Sequence, residues 1–189
     1  MEEKTLIEKL KLNDENSFRI LVDLFKKKVF NTSLSIIQNI DDADDISQDV
    51  FIQIFKSINK FKGNSSLSTW IYKITISKSF EYIRYKKRKK RFSTLLKLFR
   101  EDGSIIDIPD FVHPGILLER KEDSKLLFEA IEKLNQYQKQ AYILKNITGL
   151  SYKEIADVMN KTTSSIESLI FRAKRNLKKE LIKKMDNKK

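Results

Sequence analysis

Carboxylates are the side chains in this sequence with the clearest capacity for chemistry. Four aspartates fall within five positions, the kind of cluster that can hold a divalent cation: Asp41, Asp42, Asp44 and Asp45. An EF-hand loop starting at the first of them needs glycine at its sixth position and glutamate at its twelfth. Those positions hold Ile46 and Ile52. We therefore predict no metal site, and expect these aspartates at the start of a helix, where carboxylates cap free amides and oppose the helix dipole.

Other catalytic groups are scarce. The only histidine, His113, lies between Val112 and Pro114 in a segment without helical periodicity. There is no cysteine, which removes disulfides and thiolate metal sites from consideration. No G-x-x-x-x-G-K phosphate loop is present. The sequence predicts no enzyme activity and no cofactor.

The most unusual polar segment is "FKGNSSLSTW", residues 61–70. It contains one of four glycines and the only tryptophan, among small hydroxyl and amide side chains. An acidic helical pattern precedes it, and a basic one follows, with seven lysines or arginines in residues 84–91.

The carboxy-terminal part has the pattern of a helix-turn-helix. A helical pattern over residues 135–148 is ended by Gly149, a natural left-handed cap. Ser151 and Glu154 have the spacing of a capping box, and so do Ser164 and Glu167. Two short capped helices joined by a turn near Asn160 are the expected result.

The last predicted helix has two different faces. Its apolar stripe consists of Ile166, Leu169, Ile170, Ala173, Leu177 and Leu181. Its polar stripe consists of Ser168, Arg172, Arg175 and Lys179. Small polar groups ahead of basic ones suit a recognition helix that enters the major groove by its amino end. The alternative is a solvated lysine-rich helix.

These segments must be positioned by helices, because the apolar residues recur at three- and four-residue spacing and strand alternation is absent. Both prolines fall between Gly103 and Gly115, which marks a linker. We predict an all-α fold of two small helical domains joined by a flexible linker. The predicted ranges are 1–91 for the first domain, 92–122 for the linker, with a short helix at its start, 123–185 for the second domain and 186–189 for a basic tail.

Charge limits the choice of partners. The formal net charge of +12 favours nucleic acid first and an anionic membrane surface second. The amino terminus opens acidic and lacks a signal-peptide pattern, and no apolar run approaches the roughly 20 residues that span a bilayer. We expect a cytoplasmic, nucleoid-associated protein without membrane contact.

Together these motifs resemble the extracytoplasmic-function (ECF) group of the sigma-70 family, reduced to region 2, a linker and region 4. The resemblance runs from about Ser17 to Leu181. "DDADDISQDVFIQIF" resembles the region 2.2 helix that docks on the clamp coiled coil of RNA polymerase. The resemblance implies docking by Asp45, Gln48, Asp49, Phe51 and Phe55. An acidic helix in a basic protein independently favours a protein partner.

"FKGNSSLSTWIYKI" resembles region 2.3, in which a loop captures a base flipped from the melted −10 element. Base flipping needs polar groups for the base edge and apolar or aromatic walls. Residues 70–91 resemble region 2.4 and its basic extension. The implied −10 contacts are Lys62, Gly63, Asn64, Ser65, Ser66, Ser68, Thr69, Trp70, Lys73, Ser77, Glu81 and Arg84. A core-packing role for Trp70 is the alternative, and a buried indole that shapes the loop satisfies both.

The resemblance also implies −35 contacts by Ser164, Ser165, Ser168, Phe171, Arg172 and Arg175. The sequence departs from the family pattern at Ser77 and Glu81, where asparagine and aspartate are frequent. It departs again at Glu167 and Leu169, where basic residues are frequent. Readout of both promoter elements is therefore open, and a carboxylate at position 167 would repel phosphate or accept from a cytosine amino group.

The resulting hypothesis is a sigma factor that binds core RNA polymerase through its β and β′ subunits. Its other partner is promoter DNA, both duplex and single-stranded, with an anti-sigma factor or a recruiting factor as further candidates. The alternative is a helix-turn-helix regulator that never joins polymerase. Loss of function on changing Gln48 and Phe51 separates the two. An enzyme acting on nucleic acid is a third class, and the lack of a ligand set for a metal argues against it.

Overall fold

The computed structural model describes residues 2–98 and 121–186. Within these ranges the chain forms eight α-helices, one 3-10 turn and no strand. The front lobe contains α1 (Glu3–Lys11), α2 (Glu15–Ile37), α3 (Ile40–Ser57), the 3-10 turn (Ile58–Lys60) and α4 (Leu67–Leu98). The back lobe contains α5 (Lys121–Glu132), α6 (Gln136–Asn146), α7 (Tyr152–Met159) and α8 (Thr163–Asp186). The all-α, two-domain prediction is confirmed.

Local sequence signals explain where the front-lobe helices begin and end. The Asp14 carboxylate accepts from the Ser17 amide at 2.8 Å, which caps α2. Hydrogen bonding to the side chain and then to the amide of Ser17 holds the pKa of Asp14 below its usual value. Gln38 ends α2 in a left-handed conformation. Asn39 caps α3 by accepting from the Asp42 amide at 2.8 Å. The cap of α3 is thus an asparagine, and the predicted aspartates follow it in the first turns.

The back lobe confirms most of the predicted helix-turn-helix. The Ser151–Glu154 capping box is present, and hydrogen bonds from the hydroxyl and the amide of Ser151 hold the pKa of Glu154 below its usual value. Gly149 has the predicted left-handed conformation, with a φ of 81°, and the turn predicted near Asn160 is present, with a φ of 51° at that residue. The second capping box is wrong. The hydroxyl of Thr162 accepts from the Ser165 amide at 3.2 Å, so α8 begins two residues earlier than Ser164 would start it.

The predicted linker lies mostly outside the described residues, including His113 and both prolines. Its first part does not form a separate short helix, because the backbone of residues 92–98 continues α4 without interruption. Residues 187–189 of the basic tail also lie outside the described ranges, and the described helix α8 ends at Asp186.

The two lobes share one hydrophobic core. Four buried front-lobe residues belong to the same cluster as the back-lobe core: Ile36, Tyr72, Ile76 and Phe80. Their back-lobe partners include Phe128, Ile131, Ile143, Leu150 and Ile155. A second cluster lies within α1 to α4. Burial, followed by the nearby Glu154 carboxylate, raises the pKa of Tyr72. The lobes therefore pack directly, with α7 against α4 and α6 against α2.

A buried cation lies in this contact. Lys139 of α6 is 4% exposed, and its ammonium donates to the Ile36 carbonyl at the end of α2, at 2.8 Å, and to the Glu132 carboxylate. Gln38 donates to the same carboxylate at 3.0 Å and to the Phe128 carbonyl at 3.1 Å. Burial lowers the pKa of Lys139 against the opposing effect of Glu132.

Candidate functional site

A groove of about 490 Å³ runs between α2 and α3. Its lining consists of Lys26, Lys27, Phe30, Asn31, Asp44, Ser47, Gln48 and Phe51. Gln48 is exposed, and its side-chain amide donates to the Asp44 carboxylate at 3.0 Å. The amide is thereby held at the rim while its carbonyl oxygen remains available. The structure thus brings Gln48 and Phe51, two of the predicted docking residues, into one groove.

Phe55 extends this surface along α3. Its ring is 47% exposed and meets the edge of Phe18 from α2, with centroids 5.3 Å apart and planes at 77°. Ile52, which is 51% exposed, lies one residue from Phe51. Exposed aromatic and aliphatic groups beside a groove are typical of a protein interface.

Asp49 lies on a different side of α3 from Gln48. Consecutive residues of a helix point about 100° apart, and Asp49 lines a second cleft of about 410 Å³ between α3 and α4. The other lining residues are Ile46, Lys78, Glu81, Tyr82, Arg84, Tyr85 and Arg88. Asp49 therefore shares a cleft with two residues predicted to contact the −10 element, rather than with the other docking residues.

The outer face of α4 presents a polar and basic stripe. It consists of Lys73, Ser77, Glu81, Arg84 and Arg88, at intervals of three and four residues, and all but the half-buried Lys73 are exposed. The hydroxyl of Ser77 donates to the Glu81 carboxylate at 2.9 Å. The two positions of α4 that depart from the family pattern are therefore joined to each other.

A polar network fastens α3 to α4 beside this stripe. The Tyr82 hydroxyl and the Lys86 ammonium both donate to the carboxylate of Asp42. The ammonium also lies 5.1 Å from the centre of the Tyr82 ring. Burial and the bond to Asp42 raise the pKa of Tyr82. The aspartate cluster thus contributes an interhelical contact, and no group of metal-ligating side chains occurs among residues 2–98 and 121–186.

The loop before α4 is held at its ends. Lys62, Gly63, Asn64 and Ser66 are exposed, and Gly63 has a φ of 75°. The Ser66 hydroxyl accepts from the Thr69 amide at 3.1 Å, which caps α4. Thr69 is 4% exposed, and its hydroxyl bonds that of Ser66 at 2.9 Å. Thr69, one of the predicted −10 residues, is therefore buried in the first turn of α4, where it helps to form the helix cap.

Trp70 stabilises the loop by packing on Phe61. Its ring is half-buried and packs on Phe61, with centroids 5.2 Å apart and planes at 48°. Phe61 precedes the loop and Trp70 follows it, so the contact joins both ends. The part of the indole that is not buried remains available to a ligand.

The outer face of α8 collects most of the predicted −35 residues. Ser164, Ser168, Phe171, Arg172 and Arg175 are all exposed, and Phe171 is 68% exposed. Ser165 is half-buried, and its spacing of seven residues places it on the same side of α8 as Arg172. The buried face holds Ile166, Ile170, Ala173 and Leu177 against the lobe core. Glu167 is exposed beside the polar face and does not belong to a capping box.

Comparison with known families agrees with this geometry. The model "Sigma-70 region 2" matches residues 21–89, and "Sigma-70, region 4" matches residues 124–177. The RNA polymerase sigma-H factor of Pseudomonas aeruginosa is 26% identical over 184 residues, covering 95% of this chain and 94% of the relative. The ECF RNA polymerase sigma-E factor of Haemophilus influenzae is 27% identical over 183 residues, covering 95% of each. The chain belongs to the sigma-70 family. It is a sigma factor of the ECF type.

Solved structures show the same sigma-factor fold. The sigma factor RpoE from Bartonella quintana, in complex with the anti-sigma factor NepR, superposes with a TM-score of 0.65. Its sequence is 22% identical, and the match covers 87% of this chain and 96% of that one. No helix in the described parts of this sigma factor is long and apolar enough to cross a membrane.

Several candidate residues of the sigma factor escaped sequence reasoning. The α2 wall of the groove, with Lys26, Lys27 and Phe30, has no local signal that separates it from an ordinary helix. Arg88 was hidden in a uniformly basic run, although its spacing from Glu81 and Arg84 places it on the same stripe. Glu3 accepts from the Leu67 amide at 3.1 Å, across 64 residues, which no sequence pattern indicates.

Proposed function

We propose that this ECF sigma factor binds core RNA polymerase through the α2–α3 groove and directs it to promoters with −35 and −10 elements. In this proposal α8 reads the −35 duplex, and the loop before α4 captures the melted −10 strand. The site of action is the nucleoid. The observation that carries the proposal is that the α2–α3 groove joins aromatic and acidic side chains to two lysines, whereas the outer face of α4 carries a basic stripe.

Charge separates the two binding partners. The exposed end of α3 carries Asp41, Asp44 and Asp45, which repel a phosphate backbone. The exposed stripe of α4 carries Arg84 and Arg88, which attract one. A protein partner on the first side and DNA on the second satisfy both sets of charges.

Docking on polymerase uses hot-spot chemistry. Phe51 and Phe55 are aromatic groups at or near the groove, and aromatic residues supply much of the binding free energy in protein interfaces. Gln48 adds a directional hydrogen bond, because Asp44 fixes its orientation. Asp49 lines the other cleft, together with Arg84 and Arg88. We therefore propose that Asp49 faces the DNA-binding side of α4 and does not contact polymerase.

Capture of the −10 strand needs no chemical step. Base flipping costs a few kcal/mol per unstacked base, which binding must offset. The loop offers the exposed polar side chains of Asn64 and Ser66, and the half-buried Trp70 offers an aromatic surface. Basic residues of α4 then hold the adjoining backbone.

The exposed face of α8 fits a major groove. Ser164 and Ser168 lie near its amino end, where a recognition helix contacts bases. Phe171 suits contact with a thymine methyl group, and Arg172 and Arg175 suit guanine or phosphate. We also propose an anti-sigma factor as a regulatory partner, in line with the complex solved for the Bartonella quintana sigma factor.

The experiment is run-off transcription from fragmented genomic DNA, with core polymerase of the same organism, followed by sequencing of the RNA 5′ ends. New starts that share two spaced upstream motifs support the proposal and define both elements. Phe51→Ala should lose these starts, while Gln136→Ala, at an exposed position of the back lobe, should retain them. A protein that binds DNA but not core polymerase is a stand-alone regulator, and the proposal is then wrong.

A further inference from the structure

The amino-terminal helix α1 touches the loop that the proposed function assigns to strand capture. The Glu3 side chain accepts a hydrogen bond from the Leu67 amide at 3.1 Å. Leu67 is the first residue of α4 and directly follows the loop. Amides in the first turn of a helix have no intrahelical partner, so this carboxylate satisfies a group that would otherwise need water.

Glu3 and Ser66 cap the same helix end from two directions. The Ser66 hydroxyl accepts a hydrogen bond from the Thr69 amide at 3.1 Å, while the Glu3 carboxylate accepts one from the Leu67 amide. Ser66 is a loop residue, whereas Glu3 comes from a separate element. The carboxylate therefore ties the loop's carboxy-terminal end to α1 as well as completing the cap.

The buried face of α1 fixes where this carboxylate lies. Leu6 is 4% exposed and Leu10 is 3% exposed, and they belong to one cluster with Ile58, Phe61 and Leu67. Glu3 precedes Leu6 by three residues, so it lies on the same face of the helix. α1 also contacts the 3-10 turn that leads into the loop. Both ends of the loop thus rest on α1.

The middle of the loop is exposed and makes few side-chain contacts. Lys62, Gly63 and Asn64 are exposed, and the nearest side-chain bond, from Ser65 to the Ser66 carbonyl, is 3.4 Å long. The shape of the loop therefore depends on its anchored ends. Loss of one anchor lowers the fraction of molecules with the binding-competent shape, and the apparent affinity falls by the same fraction.

We propose that Glu3 is a positioning residue that preorganises the strand-capture loop through the Leu67 amide. This inference rests on the proposed function. Glu3 does not touch the captured strand and acts only through the first turn of α4.

The test compares three variants of the full chain. Glu3→Ala removes the acceptor. Glu3→Gln removes the charge but keeps an oxygen that can accept. Glu2→Ala makes the same charge change at the neighbouring residue, whose side chain makes no cap bond. The first readout is amide hydrogen exchange of the free protein over residues 62–70, which is independent of the proposed function.

The second readout is the affinity of each holoenzyme for a single-stranded oligonucleotide. Its sequence is the non-template −10 strand of a promoter mapped in the run-off experiment. Glu3→Ala should accelerate exchange at Leu67 to Trp70 and weaken strand binding about fivefold, the effect of losing one cap. Glu2→Ala should bind the strand as well as or better than wild type, because it removes a negative charge, and Glu3→Gln should restore most of the affinity. Binding to core polymerase should not change, and the melting temperature of Glu3→Ala should fall by about 2–4 °C, the effect of one lost cap.

The two ways of failing can be told apart. Unchanged exchange in Glu3→Ala overturns the positioning role whatever the protein does. Faster exchange with unchanged strand affinity also overturns it, since the loop then needs no anchor. A wild-type holoenzyme that captures no strand overturns the proposed function and the inference with it, and the exchange data then describe a helix cap only.

Discussion

The hydroxyl of Ser77 donates a hydrogen bond to the carboxylate of Glu81 at 2.9 Å, one turn further along the exposed face of α4. The bond leaves the second oxygen of the carboxylate as an oriented acceptor. An acceptor of this kind pairs with the exocyclic amino group of cytosine or adenine and not with the carbonyl groups of guanine or thymine.

Glu81→Gln should reduce base discrimination in the −10 element under the proposed function. Glutamine both donates and accepts, so the preference for an amino group should fall by about 1 kcal/mol. Competition between promoter variants in run-off transcription measures it. Glu8→Gln makes the same charge change at an exposed position of α1 and serves as the control. Equal discrimination in all three proteins contradicts a reading role for Glu81.

Substitutions at nearby residues of α3 should have different effects on the affinity for core polymerase. Phe51→Ala should weaken binding to core polymerase by about 2 kcal/mol, because it removes a hot-spot side chain from the groove. Asp49→Asn should leave this affinity unchanged, because Asp49 lines the cleft with Arg84 and Arg88 instead. Fluorescence anisotropy of labelled protein with core polymerase gives both values. If only Asp49→Asn weakened binding, the polymerase interface would lie on the α4 side of α3, and the proposed α2–α3 groove would be wrong.

Phosphate contacts of α4 should appear in the salt dependence of DNA binding. Arg88→Gln should lower the slope of log affinity against log salt by about 0.9, the value for one phosphate contact on duplex DNA. Lys4→Gln removes a charge from an exposed position of α1 and should leave the slope unchanged. Equal slopes for wild type and Arg88→Gln would mean that Arg88 meets no phosphate.

Glu167 should weaken binding to the −35 element. It is exposed beside the reading face of α8, and no capping box holds it away from DNA. Glu167→Gln should therefore bind −35 duplex several-fold more tightly, by roughly 1 kcal/mol at low salt, because a repulsive charge is removed. Glu180→Gln, further along the same helix, is the control. Weaker binding in Glu167→Gln would instead indicate that the carboxylate accepts from a base.

The buried Lys139 should leave a signature in the pH dependence of stability. Its pKa in the folded protein is below the ordinary 10.5, so between these two values the unfolded chain binds more protons. Stability then rises with pH across that window. Lys139→Met should lose this rise, whereas Lys133→Met, at an exposed position, should keep it.

Urea unfolding at a series of pH values up to about 9.5, just below the ordinary tyrosine pKa of about 10, measures the effect. The raised pKa values of Tyr72 and Tyr142 act in the opposite direction at higher pH, so the comparison ends below their range. Parallel curves for wild type and Lys139→Met would show that the ammonium is not buried in solution.

Sequence periodicity was enough for the helices and for most of their exposed faces. The stripe of α8 and the turns at Gly149 and Asn160 depend on local spacing, which a sequence displays directly. The choice of cap between Thr162 and Ser164 does not, because both residue types are common helix caps and the general ranking favours serine, the residue that is not used here. Consecutive helical residues point about 100° apart, so the sequence predicts that Gln48 and Asp49 face different sides of α3. Only the packing of α4 shows which of the two faces the cleft between α3 and α4.

Long-range contacts were beyond the sequence. Lys139 belongs to a polar run that reads as solvent-exposed, and it becomes buried because α6 packs on the end of α2, more than one hundred residues earlier. The shared core was equally hidden. Tyr72, Ile76 and Phe80 have the spacing of an ordinary core stripe, and nothing in that spacing says which lobe will cover them.

The shared core has a consequence for the geometry of promoter binding. Elements named −35 and −10 lie about 25 base pairs apart, roughly 85 Å of duplex at 3.4 Å per pair. In the described fold α7 contacts α4 near Tyr72, within two helical turns of the loop before α4. One molecule therefore cannot reach both elements while Phe80 and Phe128 share a core. The 22 residues from 99 to 120 reach at most about 75 Å, so the separation also needs the span of the lobes themselves. Each initiation complex would then require the two lobes to separate, which exposes the apolar surface of the shared core to water. The free energy of this separation lowers the apparent affinity for polymerase unless polymerase covers the exposed surface.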